Sequence, residues 1–361
     1  MARVRNIHKS EAGFTIIELI ATSAMALVVF SSLFGAMIAQ QQSYAVQMDS
    51  SEASQNARAA LSIMKTELRM AGWGIDGFSG TGFPVVGLCN NTADSTECNN
   101  LPTVGDASRT SDRLRVVHMS TGHFDDLTSV EGGTFRARSH RRALYTADEA
   151  PAIAEGSYAM IDGECQDNTR FTGVMAVDRE VSDTDYWHKY EFVAPAAGIP
   201  TPPCTDIRDG YRISESRIID YYIDRSEESP RLMRHLNPGA EDSAGVPTSA
   251  EVVAYGVDSL QIQYGIDVGS SSTDDRPDQQ VDTWCDDLTN CDTSTLSGST
   301  FTTLELAART VAIRLAIVSA APTSSEAEAT DFDVFDETIP PDGLRRWVFR
   351  GAVRLRNNEI L

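Results

Sequence analysis

From Phe14 to Ala39 the chain is apolar on every side, with a single charge, Glu18. A helix of that length measures roughly 39 Å, enough to cross a bilayer core of about 30 Å. From Gln40 the pattern changes. Ala53, Ala57, Ala60, Leu61, Met64 and Leu68 recur at spacings of three and four, with Arg58, Lys65 and Glu67 off that stripe. This is the signature of an amphipathic helix. No Pro or Gly interrupts Gln40–Ala71, and Gly72 and Gly74 flank Trp73 as a stop. The pattern predicts one helix from about Phe14 to Ala71, roughly 87 Å long, with a membrane half at 14–39 and an amphipathic half at 40–72.

Beyond Gly74 the period becomes two. Leu114 and Val116 alternate with Arg113 and Arg115, and Leu260, Ile262 and Tyr264 with Gln261 and Gln263. Val311, Ile313, Leu315 and Ile317 alternate with Ala312, Arg314 and Ala316. Trp347, Phe349, Val353 and Leu355 alternate with arginines. Such runs are strands with one wet face. The expected class is α+β: a long N-terminal helix whose amphipathic half covers a mainly antiparallel β head at 73–361. Polar stretches at 90–111, 195–203, 268–300 and 321–342 read as loops.

Charge narrows the partners. The chain has 30 Lys and Arg against 52 Asp and Glu, a net of −22. That disfavours nucleic-acid binding through the whole body, because phosphates need cationic patches. Six cysteines, Cys89, Cys98, Cys165, Cys204, Cys285 and Cys291, form no CxxC. They are disulfide candidates in an oxidising compartment, with nearest neighbours as the expected pairs. Zinc wants close Cys/His pairs, and none is present, so no metal is expected.

Other constellations are weak. Asp331, Asp333 and Asp336, and Asp274, Asp275 and Asp278, lack the D-x-D-x-D-G pattern of a calcium loop and read as solvated acids. His118 and His123 precede Asp125 and Asp126, yet no nucleophile elbow, zincin helix, P-loop or dinucleotide motif occurs. No catalytic residue and no cofactor are expected. Arg346, Arg350, Arg354 and Arg356 share a strand face, with Arg314 beside them. That face is expected to pair internally with the abundant acids.

The N-terminus carries the sharpest signal. Arg3, Arg5, His8 and Lys9 precede Gly13, and Phe14-Thr-Ile-Ile-Glu18-Leu19 follows. A cleaved secretory signal has a shorter apolar stretch with its cleavage site after it. A plain anchor leaves Glu18 unexplained, at roughly 2.5–3.5 kcal/mol if held at mid-bilayer. The segment resembles the type IV prepilin signature. The resemblance implies a leader at 1–13, cleavage at Gly13–Phe14 by a prepilin peptidase, N-methylation of Phe14, and an assembly role for Glu18 opposite a neighbour's amine. Loss of the leader leaves 27 Lys and Arg against 51 acids.

A second likeness runs through Asn56–Gly74, with Glu67-Leu-Arg-Met-Ala-Gly72 inside it, through Glu251–Gly265, and through the closing strand Arg345–Asn357. These segments are similar to PilW-type minor pilins; residues 80–210 carry no likeness. The family implies a non-enzymatic subunit that waits in the inner membrane with a periplasmic head, then joins a pilus with major and minor pilins and primes assembly at the tip. A minor pseudopilin of type II secretion shares the same N-terminal chemistry. A tip adhesin whose head binds a surface, glycan or DNA would use the unmatched region. A membrane-anchored enzyme is disfavoured by the missing motifs.

Overall fold

The computed structural model describes residues 15–73, 86–89, 111–119, 125–131, 134–139, 157–164, 168, 170–183, 187–193, 211–226, 229–237, 250–269, 278–288, 290–293, 301–322, 332–339 and 344–355. Its architecture is α+β. Helix α1 spans Ile16–Met70. The chain divides into two compact units, residues 1–51 and 52–361.

In the second unit, α1 buries Ala53, Ala57, Ala60, Leu61, Met64 and Leu68. This is the stripe expected from the spacing. Ala71 is also buried, and the chain leaves the helix through Gly72 at φ +71°, a left-handed turn that favours glycine. There the Gly72 N–H donates to the Val117 carbonyl, and the Met119 N–H to that of Trp73.

Sixteen strands follow among the described residues, all pairings antiparallel. They are β1 (Val86–Cys89), β2 (Arg113–Met119), β3 (Asp125–Glu131), β4 (Thr134–Ser139), β5 (Tyr158–Glu164), β6 (Arg170–Asp183), β7 (Trp187–Val193), β8 (Tyr211–Asp224), β9 (Arg231–Leu236), β10 (Glu251–Tyr255), β11 (Val257–Ile266), β12 (Thr283–Cys285), β13 (Thr310–Pro322), β14 (Phe332–Val334), β15 (Glu337–Ile339) and β16 (Leu344–Arg354). A short helix, α2 (Thr303–Ala308), opens with a capping box between Thr302 and Glu305.

Strand β8 organises the larger sheet. Its first residues lie between β3 (Asp125↔Ile213) and β5 (Ile161↔Ile213). Since β3 pairs with β4, β4 with β7, β7 with β6 and β6 with β5, the path returns to β8 and closes a six-stranded ring. The last residues of β8 instead pair with β2 (Val116↔Ile219) and β9 (Ile219↔Leu236). A closed sheet leaves no edge within the ring.

The second sheet has the order β12-β11-β13-β16. Its inner face supplies Leu260, Ile262, Tyr264, Ile313, Leu315, Ile317 and Val353 to the main core, together with the helix stripe. Gly351 of β16 allows the helix close approach. A Cβ there would run into the end of the Lys65 side chain and meet Leu61 Cδ2 at 3.3 Å. The two sheets are stitched ahead of β2. Asp112 N–H donates to the Leu260 carbonyl at 2.9 Å, and the buried Asp112 carboxylate accepts from Ile262 N–H at 2.7 Å.

On the outer face of this sheet, the β14–β15 hairpin buries Val334 and Ile339 against Ala316 and Val318. The acidic stretch around 332–339, expected to be a loop, thus contributes an apolar cover. The stretch 268–300, also expected to be a loop, contributes β12.

Candidate functional site

Two surfaces stand out, one on the helix and one on the second sheet. Up to Met48, α1 buries no large apolar residue; apart from the half-buried Val46, the large apolar side chains from Ile16 to Met48 are 55–78% exposed. This helix is long and apolar enough to cross a membrane. At its start, Glu18 Oε2 accepts from the Thr15 N–H (3.0 Å) and Thr15 Oγ1 (2.9 Å), while Thr15 Oγ1 lies 3.4 Å from the Glu18 N–H. This is a capping box. It was readable in the sequence as Thr15-x-x-Glu18, a signal the prepilin resemblance overshadowed. The carboxylate therefore has a local job, satisfying donors at a helix start where the macrodipole also favours a negative charge. Gly13 and Phe14 lie outside the described residues.

Polar contacts at the amphipathic stretch fix its place on the head. Arg234 of β9 reaches Glu67 at 2.6 Å and Glu251 at 2.5 Å. Tyr221 lies beside them, its phenol pushed up by burial and by the Glu67 charge. Arg58 stacks 5.7 Å from the Phe349 ring, and Ser319 Oγ lies 3.3 Å from the Ala53 carbonyl.

Cys285 and Cys291 form a disulfide, Cα–Cα 5.5 Å, in the segment after β11. Cys89 closes β1, while Cys98, Cys165 and Cys204 lie outside the described residues. His118 is buried on β2 with Nδ1 3.0 Å from the Met119 carbonyl, and His123 lies outside them. Among the described residues no group of three or more His, Cys, Asp or Glu is placed to hold a metal ion. Asp267 instead accepts backbone N–H groups of Gly269 and Gln279, shaping its own loop.

The arginine face differs from its expected internal pairing. Arg346 does pair with an acid, Asp258, at 2.9 Å, and both side chains are 3% exposed. The others do not. Arg314 lies over Trp284 (3.7 Å to the ring centroid) and Arg350 near Phe335 (5.9 Å). Arg354 donates to the Gln279 carbonyl at 2.5 Å. All three are exposed. The register sets Arg314 opposite Ala352, so Arg350 and Arg354 flank it diagonally on the same face. Diagonal neighbours of this kind lie about 7–8 Å apart. Asp286, on the same side of the sheet, accepts from Gln263 rather than from a guanidinium. Arg356 lies outside the described residues.

Residues 220–357 match the model of the family described as Type IV Pilus-assembly protein W. No curated protein and no solved structure matches the chain. The match begins within β8 and runs to the end of β16, leaving the closed ring's other five strands outside it. This family is one of pilus assembly rather than a known enzyme family. The PilW-type resemblance read from the sequence is thus supported by an independent match over residues 220–357.

Proposed function

We propose that the chain is a minor pilin that acts by assembly and performs no catalysis. In this reading residues 1–13 are a leader removed after Gly13 by a prepilin peptidase, and Phe14 becomes a methylated N-terminus. Residues 14–39 hold the subunit in the inner membrane and then pack into the filament core. Residues 40–72 seat the helix on a periplasmic head at 73–361, and the subunit primes a pilus at its tip. The observation that carries the reading is the pairing of an exposed apolar helix start, charged only at Glu18 between Phe14 and Ala39, with a PilW-type domain.

In a filament core of low dielectric, the Glu18 carboxylate needs compensation beyond two hydrogen bonds from Thr15. The α-amine of a neighbour's Phe14 supplies a cation, and the pairing sets the axial register of the incoming subunit. Mass spectrometry of the native protein tests the first step. A chain beginning at Phe14 is expected in cells with the peptidase and one retaining Met1 in cells without it. Retention of Met1 in both overturns the reading. Glu18→Ala is expected to abolish incorporation into filaments while leaving membrane insertion intact.

A second reading, the tip adhesin, gains from the closed ring, most of which lies outside the family match. A deletion strain that assembles normal pili but no longer adheres would select it.

A further inference from the structure

The second sheet ends on β16, an eleven-residue strand whose only partner strand among the described residues is β13. Its backbone is open to solvent. Gly351, which has no side chain, is partly exposed, and Arg346 is partly exposed although its side chain is buried to 3%. At about 3.4 Å per residue the strand offers roughly 37 Å of edge. Beside that edge stand Arg314, Arg350 and Arg354, three exposed guanidiniums without a carboxylate partner among the described residues, in a chain with 22 more acids than bases. Ala352, exposed between Arg350 and Arg354, leaves the sheet low beside the edge, while the β14–β15 hairpin covers Ala316 further in.

We propose that the β16 edge receives an acidic, extended segment of another polypeptide, which adds to the sheet as a fifth strand. The two observations point to one occupant together. An open strand edge is satisfied by main-chain hydrogen bonds from a second polypeptide. The arginines recur at i and i+4 on one face, and the side chains of an added strand project onto that face every two residues, so every second one comes level with an arginine. Acidic residues at alternate positions therefore meet Arg350 and Arg354, while Arg314 extends the positive field inward. A nucleic acid or anionic polysaccharide would engage the guanidiniums and leave the backbone edge unused. The acidity of the remaining surface repels such polyanions and leaves this strip as the attractive region. Charged side chains on an edge strand also discourage pairing between identical edges, which fits an edge kept for an oppositely charged guest.

The test uses the full chain in detergent micelles and a fluorescein-labelled peptide of about ten residues, Glu alternating with Thr, followed by anisotropy at low ionic strength. Saturable binding is expected. Arg350→Glu with Arg354→Glu should weaken it about tenfold or more. The control, Arg69→Glu with Arg217→Glu, changes net charge equally at exposed positions elsewhere and should bind as the parent does. N-methylation of alternate peptide residues should abolish binding by blocking edge pairing. Should the charge-reversed variant fail to give the parent's circular dichroism and melting curve, Arg350→Gln with Arg354→Gln replaces it, with a smaller loss in the same direction. Absence of saturable binding, undiminished binding of the N-methylated peptide, or tighter binding of an oligothymidylate of equal charge would each overturn the proposal.

Discussion

Helix α1 holds two stretches of the same backbone conformation with opposite requirements. Up to Met48 its large apolar side chains are exposed, save the half-buried Val46. In the stretch from Ala53 to Ala71, small and apolar residues at every third or fourth position are buried to 9% exposure or less. The first stretch is apolar around its whole circumference, the pattern of a helix destined for a nonaqueous neighbour; the second is apolar on one stripe, the pattern of a helix on a water-soluble domain. Pattern, rather than helicity, separates a segment that must find its solvent elsewhere from one whose core is supplied by its own chain.

The largest expected effect tests that separation directly. Leu68→Ala removes a fully buried side chain and should lower the stability of the head by about 2–5 kcal/mol. Leu27→Ala, at a 70% exposed position, should leave it within about 0.5 kcal/mol. Thermal or denaturant unfolding of both variants in detergent measures the contrast, and equal losses would break it.

A smaller effect is expected where helix and sheet approach most closely. Gly351→Val displaces the flexible end of Lys65 and presses on Leu61 Cδ2, and should cost about 1 kcal/mol. Adding Lys65→Ala should recover much of that loss, because the two sites share one space. A double-mutant cycle of unfolding free energies checks the coupling.

The smallest effect concerns pH and the outer face. Burial raises the Glu337 carboxyl above its usual 4.5; Ser259 and Arg225 oppose the shift, while Asp258 and Asp336 add to it. Gln261 also donates to this carboxylate. Above pH 4.5 the folded chain retains a proton that the unfolded chain has lost, so stability falls as pH rises through the raised pKa. Glu337→Gln should flatten that decline, matching the parent near pH 4 and exceeding it at neutral pH. Melting temperatures across that range report the difference.

How much of this was legible beforehand depended on whether a pattern was local. The buried stripe of α1 was readable because each residue answers to neighbours three or four positions away. Strands β2, β11, β13 and β16 were readable because their two faces differ in polarity. The closed ring was not. Its closure depends on β8 lying between β3 and β5, partners distant in sequence, and no periodicity encodes which strands meet. The β14–β15 hairpin was hidden by the acids around it, since its buried Val334, Glu337 and Ile339 alternate with exposed polar neighbours. The arginine face was expected to be neutralised because acids are abundant, but abundance carries no information about distance. Among the described residues Asp258 pairs with Arg346, and no acid pairs with Arg314, Arg350 or Arg354. Among the named site residues, Glu18 showed a capping partner one turn away that was present in the sequence as a motif.

Strand β8 belongs at once to the ring outside the family match and to the sheet within it. Excising the ring would therefore tear out the beginning of a strand whose end anchors β2 and β9. A slip of one residue would invert inward and outward positions on both sides of the join. Ring and sheet share one continuous strand, so a change in the ring is tolerable only where it preserves that strand's phase.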